Sequence, residues 1–165
     1  MVFSYYHKLT AGQRRIYQQS DSIFEVPLRA TSDLIRLIPE LERALLLEDR
    51  TRTEKVCQAI TEGITSCLKV PALRVRILAI RPKHSWGELH GLYEAAEGRS
   101  SALITLWMRT AQHRRIVAFR SFLRTLLHEL CHHLDYDLYK LSDSFHTEGF
   151  YKRESSLFRQ LVIKD

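Results

Sequence analysis

Apolar residues recur along this chain with two different periods. Over residues 1–70 the spacing is helical. Thr10 to Ser20 reads as a short polar helix whose main apolar residues are Ile16 and Tyr17. A second helix, capped by Ser32 or Asp33, carries the stripe Leu34, Leu37, Ile38, Leu41 and Leu45, with Pro39 predicting a kink or a late start. Thr53 to Leu68 is a third, with Val56, Ala59, Ile60, Ile64 and Leu68 on one face. After Pro71 the period drops to two. Leu73, Val75, Ile77 and Ala79 alternate with Arg74, Arg76 and Leu78, the pattern of a half-buried strand. Leu89 to Ala95 and Ala102 to Arg109 read as two further strands joined by a turn around Glu97-Gly98-Arg99-Ser100.

The helical period then returns. Val117 to Leu134 reads as a buried helix with Phe119, Phe122, Leu123, Leu126, Leu127 and Leu130 on its apolar side. A last helix places His146, Phe150, Glu154, Leu157, Phe158 and Leu161 near one face, with Asp143 or Ser144 as its cap. Helices, then strands, then helices make an α+β domain with a small antiparallel or mixed sheet. At 165 residues and 45% hydrophobic, the chain is long enough to bury a core as one domain. Residues 1–70 form its helical front part, and residues 71–165 its sheet and last two helices.

The helix from Val117 to Leu134 also holds the most specific chemistry. His128-Glu129-Leu130-Cys131-His132 is an instance of His-Glu-x-x-His. Residues four apart share a helix face, so both imidazoles can reach one point, with Glu129 between them as a base. Two accidental histidines on a core helix are the plain alternative. An unbroken apolar stripe, with no Gly or Pro between Phe119 and Leu134, favours a metal site. A tetrahedral catalytic zinc needs a third protein ligand. Asp135, Asp137, His146 and Glu148 follow closely, and both His146 and Glu148 stand at the start of the last helix.

The run from Phe122 to Leu161 resembles the zincin metallopeptidases. It is most similar to their small members, the SprT-like, WLM and YgjP-like groups and the minigluzincins. The resemblance rests on HELCH followed by His146-x-x-x-Phe150. It implies one zinc ion held by His128, His132 and His146, with Glu129 as general base in peptide-bond hydrolysis by zinc-activated water. It also implies a zincin-like layout in which the edge strand beside the motif helix holds an extended protein or peptide substrate. Leu103 to Thr110 is the candidate for that edge, and an ordinary core strand is its alternative. Thr147 departs from the SprT pattern, which has Gly there. Glu148 resembles the glutamate ligand of gluzincins, so the third ligand stays open between it and His146, which the Phe150 spacing favours. Residues 1–70 contribute nothing to the resemblance.

Several neighbours have less definite roles. His133 points about 100° away from His132 and reads as a supporting or surface residue. Asp135, one turn beyond His132, either holds a ligand imidazole by its other nitrogen or is a solvated helix-end residue. Tyr136, Tyr139, Tyr151, Arg153 and His133 are candidates for stabilising an oxyanion. Cys131 faces the wrong way for ligation and reads as a small core residue.

Cys57 and Cys67 are too far apart to bridge, and three unpaired cysteines predict a reducing, cytoplasmic compartment. No signal-peptide pattern and no membrane-spanning run is evident. The net charge of +6 is concentrated: residues 71–127 carry 10 Lys and Arg against 3 Asp and Glu. That basic segment could attract nucleic acid or an acidic protein partner, or simply solvate one face. A non-catalytic, zinc-containing basic module is therefore the alternative to a peptidase.

Overall fold

A computed structural model describes residues 1–163. The chain opens with a 3-10 helix at Ser4–Lys8, followed by α1 (Ala11–Asp21), α2 (Ser32–Leu46) and α3 (Arg50–Leu68). Strand β1 (Arg74–Ile80) leads to a two-stranded hairpin, β2 (Lys83–His84) and β3 (Gly87–Glu88). Then come β4 (Gly91–Glu94), β5 (Leu103–Arg109), α4 (Phe119–Asp137) and α5 (Glu148–Leu161). The class is α+β, as the periodicities predict. Among the described residues no helix is long and apolar enough to cross a membrane.

Local chemistry sets the helix ends, and it moves several of them from their expected places. Thr10 caps α1 through a complete capping box with Gln13. Thr31 caps α2, in place of the expected Ser32 or Asp33. That helix starts early and continues through Pro39, whose ring lies on the exposed face. The Ile35 carbonyl forgoes its partner there without ending the helix. Asp49 accepts from the Arg52 amide, so α3 begins a turn before the expected Thr53. Thr147, not Asp143 or Ser144, caps α5 by accepting from the Phe150 amide.

The main sheet is mixed, in the order β1-β5-β4. β1 runs parallel to β5, with Val75 opposite Ile104, and β4 runs antiparallel to it, with Tyr93 opposite Ile104. β5 is buried on both faces, from Ile104 to Met108, as a central strand must be. Leu103–Arg109 is therefore the ordinary core strand that stood as the alternative, and not the exposed edge that the resemblance suggested for Leu103–Thr110. The edge lying along α4 is the short β4.

The two edges of this sheet differ. Side chains of α3 close the outer side of β1: the Gln58 amide accepts from the Val75 amide at 2.8 Å and donates to the Leu73 carbonyl at 2.9 Å. Glu54 accepts from the Ile77 amide at 2.9 Å, and Arg50 donates to the Ile77 carbonyl at 3.1 Å. Such cover blocks strand addition. The core packs α4 against the sheet and α5 through Phe122, Leu123, Leu126, Leu127 and Leu130, all buried.

Candidate metal centre

Helix α4 presents His128 and His132 one turn apart, with ring centroids 5.2 Å from each other. His146 comes from the loop before α5 and completes a triangle. Its Nε2 lies 3.1 Å from Nε2 of His128 and 3.0 Å from Nε2 of His132. Phe150, four residues on, packs against all three rings at 4.9, 4.8 and 5.1 Å. The His146-x-x-x-Phe150 spacing thus has a physical reading: the aromatic ring is the floor on which the imidazoles rest.

The outer nitrogens fix the tautomers. A carboxylate only accepts, so His128 Nδ1 donates to Glu154 Oε2 at 3.0 Å. Ser144 gives its single proton to Asp135 Oδ2 at 2.7 Å and must accept from His132 Nδ1 at 2.7 Å. Nε2 of both rings is then a lone pair facing the centre. His146 can offer one proton to one of them, which leaves the set short of donors. Such a set of inward lone pairs is one that could hold a cation. Tetrahedral zinc with bonds of about 2.0–2.1 Å requires ligand nitrogens about 3.3 Å apart, close to the separations found. Among the described residues this is the one group of three such side chains close enough to hold an ion. Burial, reinforced by the other two imidazoles, lowers His132 to about 3, so it is neutral and able to ligate. Burial and His128 lower His146 as well.

Glu129 lies on the same helix at the wall of a cleft of about 570 Å³ that also holds the three histidines. It is 7% exposed. Burial raises its carboxyl to about 7, with His128 opposing and Glu154 assisting. That value suits a group that must both take and return a proton near neutrality. Strand β4 forms the opposite wall with Gly91, Leu92 and Tyr93, and Gly91 passes directly over the Glu129 carboxylate.

The expected residues divide clearly. His128, Glu129, His132 and His146 come together. Glu148 does not: it is half-exposed and pairs with the Met1 ammonium and Lys152. Asp135 is fully buried and supports His132 through Ser144, so it is no solvated helix end. His133 is buried too, with Nε2 donating to the Pro71 carbonyl at 2.7 Å and Nδ1 facing the Tyr93 hydroxyl at 3.0 Å.

Of the oxyanion candidates, only Tyr136 lines the cleft. Arg153 is committed to Asp135, Tyr139 donates to the Glu25 carbonyl, and Tyr151 packs on His128 and His146 outside it. Sequence reasoning missed Tyr93, Ser144 as a hydrogen-bond link, and Glu154 as the partner of His128. Glu154 alone had left a trace, on the predicted inward face of the last helix.

Cys57, Cys67 and Cys131 are free, and burial raises the Cys131 thiol well above its usual range. Three of the ten basic side chains of residues 71–127 form ion pairs within the protein. Arg81 pairs with Glu88, Arg109 with Glu48, and Arg124 with Glu154. Comparison with protein-family models, curated proteins and solved structures found no match to this chain.

Proposed function

We propose that the protein is a zinc-dependent peptidase. The observation that carries this reading is the convergence of three imidazole nitrogens beside a buried carboxylate on the helix that supplies two of them. The resemblance of HELCH and His146-x-x-x-Phe150 to zincins, carried by these same residues, agrees with it. When bound, zinc would be held by His128, His132 and His146, and would acidify water and polarise a carbonyl.

The chain's own residues do the rest. Glu129 accepts the proton of the attacking water and returns it to the leaving amine. Its cover by β4 excludes bulk water and so raises the carboxylate's affinity for that proton. Tyr136 is the cleft's donor for charge developing on the carbonyl oxygen. With the outer side of β1 closed by α3, β4 is the edge on which an extended peptide can add beside the histidines. The substrate class is accordingly an unfolded or flexible protein segment.

Elemental analysis of wild type, His146→Ala and Glu148→Ala, together with cleavage of an unstructured protein by wild type and Glu129→Gln, tests this. Near-equimolar zinc lost with His146 but kept with Glu148 is expected, as is turnover lost in Glu129→Gln with zinc retained. A Glu129→Gln variant that cleaves as fast as wild type would refute the mechanism. Wild type that binds no zinc and cleaves nothing, yet binds nucleic acid in a salt-dependent way, would move the assignment to a basic binding module.

A further inference from the structure

Two hydrogen-bonded routes run from the histidines to the N-terminal segment, residues 1–23. One starts at His132 and passes through Ser144 to Asp135. Asp135 Oδ1 accepts from Arg153 at 2.9 Å, in an ion pair whose side chains are 0% and 1% exposed. Arg153 in turn donates to the Ser20 carbonyl at 2.6 Å and the Ile23 carbonyl at 2.7 Å, at the end of α1. The other route is shorter. The Tyr5 hydroxyl donates to the backbone carbonyl of His146 itself at 2.7 Å.

These contacts matter because the ligands differ in how they are held. His128 and His132 ride on a long helix. His146 sits in a loop, where only contacts from outside can fix its backbone. α1 supplies some of them. Asp21 accepts from the Gly149 amide at 3.0 Å, and Ser20 meets Thr147 at 3.3 Å. The approach is so close that a Cβ on Gly149 would stand 2.6 Å from the Asp21 carbonyl oxygen. A buried ion pair is by itself a weak source of stability. One that is threaded onto a ligand imidazole has a second use, since outer partners set ligand orientation and metal affinity.

We infer that this N-terminal segment is a working part of the metal centre. Tyr5 and Arg153 are positioning residues that set its affinity, Tyr5 by holding the backbone of His146 and Arg153 by anchoring the Asp135–Ser144–His132 chain to α1. This rests on the reading of the three histidines as a zinc site.

The test uses the full chain as wild type, Tyr5→Phe, Ser144→Ala, Arg153→Lys and the surface control Arg36→Ala. Zinc affinity is measured by competition with a chromogenic chelator, and melting temperature is measured with and without metal. Tyr5→Phe and Ser144→Ala are expected to weaken zinc binding by about tenfold to a hundredfold, with Arg36→Ala unchanged. Both keep the ring or small side chain in place, so they stay informative if Arg153→Lys does not fold. Unchanged zinc affinity with a lower melting temperature of the metal-free protein would make these contacts merely structural and overturn the inference alone. A wild type that binds no zinc overturns both the inference and the metal reading.

Discussion

Gly91 and Glu129 are in contact across the cleft: a Cβ built on Gly91 stands 2.7 Å from Oε1 and 2.9 Å from Cγ of Glu129. No side chain fits without displacing the carboxylate, because Thr125 closes the same space at 2.8 Å. Gly91→Ala is therefore expected to lower kcat by roughly a hundredfold while leaving zinc content intact, since a displacement near 1 Å suffices for such a loss. Steady-state kinetics beside metal analysis would check it, and unimpaired turnover would mean that Glu129 tolerates another position.

Glu154 holds His128 as Ser144 holds His132, but through a carboxyl group in place of a hydroxyl. Glu154→Ala should weaken zinc binding about tenfold to a hundredfold, and Glu154→Gln by less, because the amide oxygen still accepts from Nδ1. Equal losses in the two variants would show that the hydrogen bond contributes nothing and the charge everything.

Burial raises the Glu129 carboxyl from 4.5 to about 7 in the metal-free protein. A carboxyl raised on folding contributes no penalty below its unfolded value, and a growing one as pH climbs through the folded value. Glu129 should thus contribute a decline of roughly 3 kcal/mol between about pH 4.5 and pH 7, set against the gain from His132, whose lowered imidazole favours the fold as pH rises over much of the same range. In Glu129→Gln that decline should vanish, making the metal-free variant more stable than wild type at pH 8 and not at pH 4. Parallel pH curves for the two proteins, recorded by urea unfolding, would contradict the buried ionisation.

Gln58 occupies the outer side of β1 with two hydrogen bonds, to Val75 and Leu73. Removing it in Gln58→Ala should destabilise the fold by about 1–3 kcal/mol and expose strand atoms to other chains. Light scattering at rising concentration should report self-association in the variant. A monomeric variant of normal stability would show that Glu54 and Arg50 suffice.

The chemistry of α4 was legible because helical spacing is a local rule. The four-residue interval that joins His128 to His132 is readable without any knowledge of neighbours, and so is the interval from His146 to Phe150. Strand order was not legible. β1 bypasses β4 to pair with β5, and nothing in the alternation of Val75 and Ile77 says which strand it will meet. The edge assigned to Leu103–Thr110 failed for that reason. Ser144 looked like a cap because serine often is one, yet Thr147 does the capping and frees Ser144 to join His132 to Asp135. Tyr93 lies 40 residues from its partner His133, and Tyr5 lies 141 from His146. Contacts of that separation leave no periodic mark.

The bond between Tyr5 and His146 also bears on the order of folding. Contacts between distant positions form late, because the loop between them must be closed first at an entropic cost. The two α4 histidines can align as soon as that helix forms, whereas the third arrives only when α5 has docked on α1. A chain in which α4 alone had formed would offer an ion two nitrogens and hold it weakly. Tight capture of an ion would coincide with completion of the tertiary structure, so that metal binding would report on folding.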